Sequence, residues 1–261
     1  MRARAIPALL LADGGLVKTV KFKNPAYIGD PINAVRLFND MEVDELVVLD
    51  VNASREGRGP NLSLIGDFAS EAFMPFGYGG GISTIEQMAD LFALGVEKVM
   101  LNHAILNDRS LLSQAASRFG NQSVVACIDA KRDLFGRLRV YDHVRRRGTG
   151  IDVVEYAREL ARAGAGEIVL YDVDRDGAME GYNLALVRNA CAALDVPLVA
   201  LGGAGSLDDM AAAVAAGASA AAAGSLFVYQ SKSRGVLINY PSRADLEKKF
   251  PDKARQFRFS K

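Results

Sequence analysis

The residues in this chain best suited to chemistry are one aspartate and a set of repeated glycines. Asp129 closes an apolar stretch in Cys127-Ile128-Asp129-Ala130-Lys131. A carboxylate at a strand end can act as general acid or base, and it can equally serve as a helix or loop cap. Gly79-Gly80-Gly81-Ile82-Ser83 and Gly202-Gly203-Ala204-Gly205-Ser206 each lead into a helical pattern, with Ser83 or Ser206 available as a cap. Backbone without side chains lets amide N–H groups converge on a phosphate, and a helix N-terminus adds a favourable field. Asn102-His103 and Gly224-Ser225 are the natural neighbours of the two glycine pairs, and Asp176-Gly177 offers a carboxylate and an amide to the second. Two such cradles imply a ligand with a phosphate at each end; the alternative is that the glycines only make tight turns. Arg4, Glu45, Lys98 and Glu167 stand where strands begin, at the opposite face. Four charges entering a barrel base are costly unless paired with one another. They read either as a stabilising ring or as a gate around an axial passage.

These residues need a scaffold, and the apolar periodicity supplies one. Short aliphatic strands begin near Ala5, Glu45, Phe73, Glu97, Ser123, Glu167, Val196 and Ser219. Helical patterns fit Ile32–Met41, Leu62–Ala72, Thr84–Leu94, Arg109–Phe119, Val153–Ala163, Leu184–Leu194, Leu207–Ala216 and Arg243–Lys249. Eight strand–helix pairs in 261 residues predict an α/β chain folded as a (β/α)8 TIM barrel, with an open doubly wound sheet as the competitor. An internal repeat favours the barrel. Displacing the chain by 122 residues lays Leu49-Asp50-Val51 on Tyr171-Asp172-Val173, Gly80-Gly81 on Gly202-Gly203, and Gly95-Val96 on Gly217-Ala218. Two duplicated half-barrels, about 1–120 and 121–240, within a single domain over 1–261 explain it. The tail 248–261 receives no assignment.

Composition bounds the rest. Thirty-one basic residues balance thirty-one acidic ones, which argues against a nucleic-acid partner. The charge-free stretch Met210 to Tyr229 is mostly alanine and carries Gly217 and Gly224, so no membrane span is expected. Cys127 and Cys191 have no zinc spacing, and His103 and His143 are the only histidines, so neither a metal nor a cofactor is expected. The free-cysteine pattern predicts a reducing, cytoplasmic compartment. Lys131, Arg132, Arg137, Arg139 and Arg145-Arg146-Arg147 make the segment after the fifth strand basic, suited either to a phosphorylated ligand or to a solvated hairpin. The long segment Asp13 to Asp30, with Lys18, Lys21 and Lys23, has the length of loops that fold over sites.

From about Arg4 to Tyr229 the chain resembles the cyclase subunit family of imidazole-glycerol-phosphate synthase. Asp13-Gly14, Val17-Lys18, Gly29-Asp30-Pro31, Gly79-Gly80-Gly81-Ile82, Ile128-Asp129-Ala130-Lys131, Gly164-Ala165-Gly166-Glu167-Ile168, Asp174-Arg175-Asp176-Gly177 and Gly202-Gly203-Ala204-Gly205 carry the resemblance. It implies a glutaminase partner on the N-terminal face, releasing ammonia that travels through the barrel past Arg4, Glu45, Lys98 and Glu167. It places Gly80, Gly81 and Asn102 at one phosphate site, and Gly177, Gly202, Gly203, Gly224 and Ser225 at the other. Lys18 falls on the active-site loop, and Asp129 matches one of two catalytic aspartates. His103 stands in place of a threonine, and Glu97 in place of an aspartate facing the glutaminase. The second catalytic aspartate is absent: its position is Leu10, and leucine neither donates nor accepts a proton. Lys21-Phe22-Lys23-Asn24-Pro25, Tyr27 to Ala34, and Leu237-Ile238-Asn239-Tyr240-Pro241-Ser242 look like the diverged paralogues of surface-polysaccharide gene clusters. That branch implies ammonia supplied to a separate sugar amidotransferase that makes an acetamidino group. The alternatives are an authentic histidine-pathway cyclase and a non-catalytic ammonia conduit or scaffold.

Overall fold

A computed structural model describes residues 2–230 and 234–250. Eight parallel strands form the barrel: β1 (Arg4–Ala12), β2 (Leu46–Asp50), β3 (Phe76–Gly79), β4 (Lys98–Leu101), β5 (Val124–Arg132), β6 (Glu167–Asp172), β7 (Leu198–Leu201) and β8 (Ala220–Ala223). Each pairs with the next in sequence, and β8 pairs with β1 through Arg4 opposite Ala220, so the eight strands close into a barrel. The open-sheet alternative is thereby excluded.

The surrounding helices are α1 (Pro31–Asp40), α2 (Leu62–Glu71), α3 (Ile85–Ala93), α4 (Ser110–Phe119), α5 (Val153–Arg162), α6 (Leu184–Cys191), α7 (Leu207–Ala215) and α8 (Arg243–Lys249). Their starts follow from capping. Thr84 and Gln87 make a reciprocal box at α3, while Asp30, Asp152 and Ser242 accept first-turn amides of α1, α5 and α8. The largest apolar cluster lies between strands and helices, with Phe38, Phe68, Phe76 and Tyr156 fully buried. A second cluster, including Ile6, Val47, Val125, Val169 and Val199, fills the barrel interior. Side chains thus line the barrel interior around its axis.

The repeat has a structural counterpart in equivalent contacts. Gly80 and Gly202 have φ of +121° and +94°, and a Cβ on either would sit against the backbone of Asp50 or Asp172, 122 residues apart like the glycines themselves. Asn61 and Asn183 cap α2 and α6 through Leu64 and Leu186, both at 3.2 Å. Thr84 and Ser206 do the same for α3 and α7, again at 3.2 Å.

Two antiparallel hairpins rise from the C-terminal ends of the strands. Gly15–Val20 and Lys23–Gly29 follow β1, and Leu138–Asp142 and Arg147–Asp152 follow β5. The first carries Lys18, and the turn of the second carries His143.

Candidate functional site

A cavity of about 890 Å³ opens at the C-terminal ends of the strands. Asp129, buried on β5, lines it. Its Oδ2 accepts a hydrogen bond from Asn102 Nδ2 at 3.0 Å and faces His143 Nδ1 at 3.0 Å. Asn102 follows directly from β4, and His143 follows the hairpin strand Leu138–Asp142, whose register on β5 sets Lys131 opposite Arg139. Burial lowers the basicity of His143, but the hydrogen bond and charge of Asp129, with the charge of Asp142, outweigh it and raise its pKa.

The other histidine stands close by. The rings of His103 and His143 are 6.2 Å apart and edge-on. His103 Nε2 meets Asn107 Nδ2 at 3.0 Å. Nδ1 lies 3.2 Å from Asp142 Oδ1. Burial lowers the His103 pKa; Asp142 opposes this, while His143 and Arg145 reinforce it. The pair thus combines a histidine disposed to carry a proton with one disposed to stay neutral.

An apolar patch lies on the β1 and β2 side of the cavity. Leu10 is buried there with Ala12 and Val17, against the half-buried Leu49 and Val51. Leu10 pairs with Val17 across the first hairpin and with Leu49 on β2.

The first glycine cluster borders the cavity. Gly80, Gly81, Asn102 and His103 all line it, and Gly81 N donates to Ser54 Oγ at 3.2 Å. A neighbouring cavity of about 580 Å³ continues outward past Gly81, Arg58, Ser83 and Ala104. The second cluster lies apart, beneath the first hairpin. Lys18 is buried, and a Cβ on Gly224 would come within 2.9 Å of its Cε, so the lysine occupies the space over Gly224. Burial lowers the Lys18 pKa, with the charge of Asp176 in opposition.

Asp176 holds that hairpin down. Its Oδ2 accepts from Thr19 Oγ1 at 2.6 Å and Phe22 N at 3.0 Å, and its Oδ1 accepts from Tyr171 Oη at 2.6 Å. Its carboxylate is therefore engaged by protein donors, and Gly177, with φ of +66°, turns the chain beneath the hairpin backbone. Asp174 and Arg175 engage neighbouring loops rather than each other: Asp174 accepts from Arg132 N at 2.9 Å, and Arg175 donates to Gly181 O at 2.7 Å.

At the opposite end of the barrel, Arg4, Glu45, Lys98 and Glu167 form a closed ring. Arg4 bonds Glu45 and Glu167. Lys98 Nζ donates to Glu45 at 2.8 and 3.0 Å and to Glu167 at 2.9 Å. Every charge has two opposite neighbours, which satisfies the condition for placing four of them there. Among the described residues no cluster of His, Cys, Asp and Glu fits a metal ion, and no helix is long and apolar enough to cross a membrane.

The family model described as histidine biosynthesis protein matches residues 4–233. The chain belongs to that family. It is 50% identical over 242 residues to a Pseudomonas aeruginosa protein provisionally named imidazole glycerol phosphate synthase subunit hisF2, covering 92% of this chain and 96% of the relative. A Vibrio vulnificus protein with the same provisional name, subunit hisF3, is 48% identical over 252 residues, with 95% and 96% covered. A Leptospira interrogans protein, provisionally the HisF subunit, is 46% identical over 252 residues, with 96% and 99% covered. The resemblance noted from sequence motifs thus extends along nearly the whole chain.

The motif reading missed His143. Its only signal was scarcity: it is one of two histidines, 14 residues beyond Asp129 on a segment read simply as basic.

Proposed function

We propose that this chain is a cyclase-type barrel subunit that receives ammonia from a glutaminase docked on its N-terminal face and delivers it towards the Asp129 cavity. The observation that carries this reading is the ring of Arg4, Glu45, Lys98 and Glu167 on the barrel axis, opposite that cavity. The names of its relatives, subunits of imidazole glycerol phosphate synthase, support a cyclase or lyase type of subunit. The glycine clusters fit a phosphorylated small molecule, with Gly80, Gly81 and Asn102 at one end and Gly177, Gly202, Gly203, Gly224 and Ser225 at the other. Lys18 supplies a cation at that second end when the hairpin admits ligand.

The finer reading concerns where the nitrogen goes. Leu10 deprives Asp129 of a carboxylate partner, and losing a general acid or base removes about 10²–10⁴-fold in rate. Ammonia is then destined for amidination of a surface-polysaccharide sugar, through a separate sugar amidotransferase. The paralogue-like stretches around Lys21 to Ala34 and Leu237 to Ser242 support this destination. The competing reading, an authentic histidine-pathway cyclase, is favoured by the retained Asp129.

The experiment pairs purified chain with its glutaminase. Stimulated glutamine hydrolysis, lost in Lys98→Met, is the expected result; hydrolysis indifferent to the chain overturns the ammonia reading. Ammonium-dependent turnover of the histidine-pathway substrate at the rate of an ordinary cyclase overturns the sugar destination.

A further inference from the structure

Asp129 is the residue that sequence reasoning puts forward as acid or base, yet its surroundings suit a different task. Both Asn102 Nδ2 and His143 Nδ1 address the same oxygen, Oδ2. A carboxylate so held orients an imidazole and stabilises its protonated form, while the imidazole moves the proton. His143 borders the cavity, and with Nδ1 turned to Asp129 its second nitrogen is the one left for a ligand.

We infer that His143 is the proton-transfer group of this cavity and that Asp129 is its positioning residue. The histidine, delivered by the hairpin after β5, serves where Leu10 leaves Asp129 without a second carboxylate. The inference rests on the cyclase-type part of the proposed function, in which ammonia reacts in the Asp129 cavity itself, and states what happens on arrival. Ammonia attacks an electrophilic carbon and a C–N bond forms. The bond from that carbon to its leaving group breaks, and the electron pair departs with the group. The nitrogen must then lose one proton and the leaving group must gain one. His143 takes the first and returns the second, so no proton, electron or further reactant is needed.

The groups that bear on His143 are named by the fold. Asp129 on β5, Asp142 beside it and Arg55 after β2 act on it directly. His103 after β4 faces its ring, and Lys131 and Arg146 line the same cavity. The two aspartates favour its charged form, and the raised pKa agrees with that balance. As a base, His143 is then active above its own pKa, whereas a carboxylate base would already be active near pH 5.

A neutral carbon acid distinguishes the two without knowledge of the natural substrate. 5-Nitrobenzisoxazole loses a C–H proton to a base, its N–O bond opens, and the coloured phenolate is released. With the full-length chain, the expected result is saturable acceleration that rises with pH through a midpoint above about 6.5. His143→Gln should lose it roughly 10²-fold, and Asp129→Asn should lower the midpoint, as NMR titration of the His143 ring reports independently. Acceleration already complete near pH 5 and kept in His143→Gln overturns the inference in favour of Asp129. Absence of acceleration in the wild-type chain overturns it as well, because the base is then not accessible from the cavity. None of these outcomes touches the glutaminase stimulation that tests the ammonia reading.

Discussion

Removing one cation from the ring at the barrel base tests whether those charges are a coupled unit. Lys98→Met leaves Glu45 and Glu167, 3% and 6% exposed, sharing Arg4 alone. Breaking a buried pair from one side costs about 3–5 kcal/mol, because the remaining charge stays desolvated without compensation. The ring is not wholly dry: the side chains of Arg4 and Lys98 are 28% and 19% exposed, and water screens part of the loss. A cost of about 2–3 kcal/mol follows. For a chain of this size that is roughly 4–12 °C in Tm. Replacing all four charges together, as Arg4→Met, Glu45→Leu, Lys98→Met and Glu167→Leu, removes the desolvated carboxylates along with their partners. That variant should recover most of the stability lost by the single change. Calorimetry at low and high salt reads both, and the single-variant loss should change little with salt because buried pairs are weakly screened. A Tm drop below about 2 °C in Lys98→Met would place the ring among ordinary surface pairs and rule out a coupled unit. A fourfold variant as unstable as the single one would show that shape rather than charge is at stake.

The two glycine clusters, the two histidines and Leu10 give further expectations. Gly81→Asp and Gly203→Asp, at φ of +71° and +114° and close against the carbonyl carbons of Gly59 and Gly181, should lose binding of a bisphosphorylated ligand at least about tenfold by titration calorimetry. His143 has a raised pKa in the folded chain, so its contribution is complete below the unfolded value near 6.5 and fades as pH rises through the folded one. The stability gap between wild type and His143→Gln should therefore be wider at pH 5.5 than at pH 9 in urea melts. His103, whose pKa is lowered, has the opposite sign: the wild type should lose ground to His103→Gln as pH falls below about 6.5. Leu10→Asp should destabilise by about 2 kcal/mol, from an unpaired carboxylate among apolar neighbours, and should not raise ammonium-dependent turnover of the histidine-pathway substrate.

Much of the scaffold was legible because apolar runs and capping residues act locally. Strand β6 begins at Glu167 and helix α8 spans Arg243–Lys249, as the patterns alone predict. Helix α3 is shorter than its pattern by one residue at each end, since Thr84 is its cap and Leu94 closes it. The third strand was expected from Phe73 but starts at Phe76. Pro75 has no N–H for the ladder, and Phe73 is 85% exposed. Phosphate-suited glycines were recognisable, but the position of Lys18 over Gly224 was not. It depends on a tight turn in which Lys21 and Phe22 adopt φ of +53° and +59°, which neither residue type advertises. His143 was hidden for a related reason: only the antiparallel register of the hairpin on β5 brings it back to Asp129.

The carboxylates Glu45, Glu167, Asp176 and Asp129 each occur in a closed set, and that pattern bears on the leucine at position 10. Glu45 and Glu167 are matched by Arg4 and Lys98. Asp176 is matched by three donors, and Asp129 by Asn102 and His143. A carboxylate at position 10 would find Ala12, Val17, Leu49 and Val51 instead. Its two ladder partners, Val17 and Leu49, belong to a hairpin and to a different strand, so the apolar patch is assembled from three separate segments. The missing acid is therefore one part of an apolar patch, while Asp13, Asp50 and Arg55 line the cavity beyond it. A polar cluster converges on the β4 and β5 side, where Asn102, Asp129 and His143 meet. A ligand that uses it must present its reacting atom to that side and its less polar surface to Leu10.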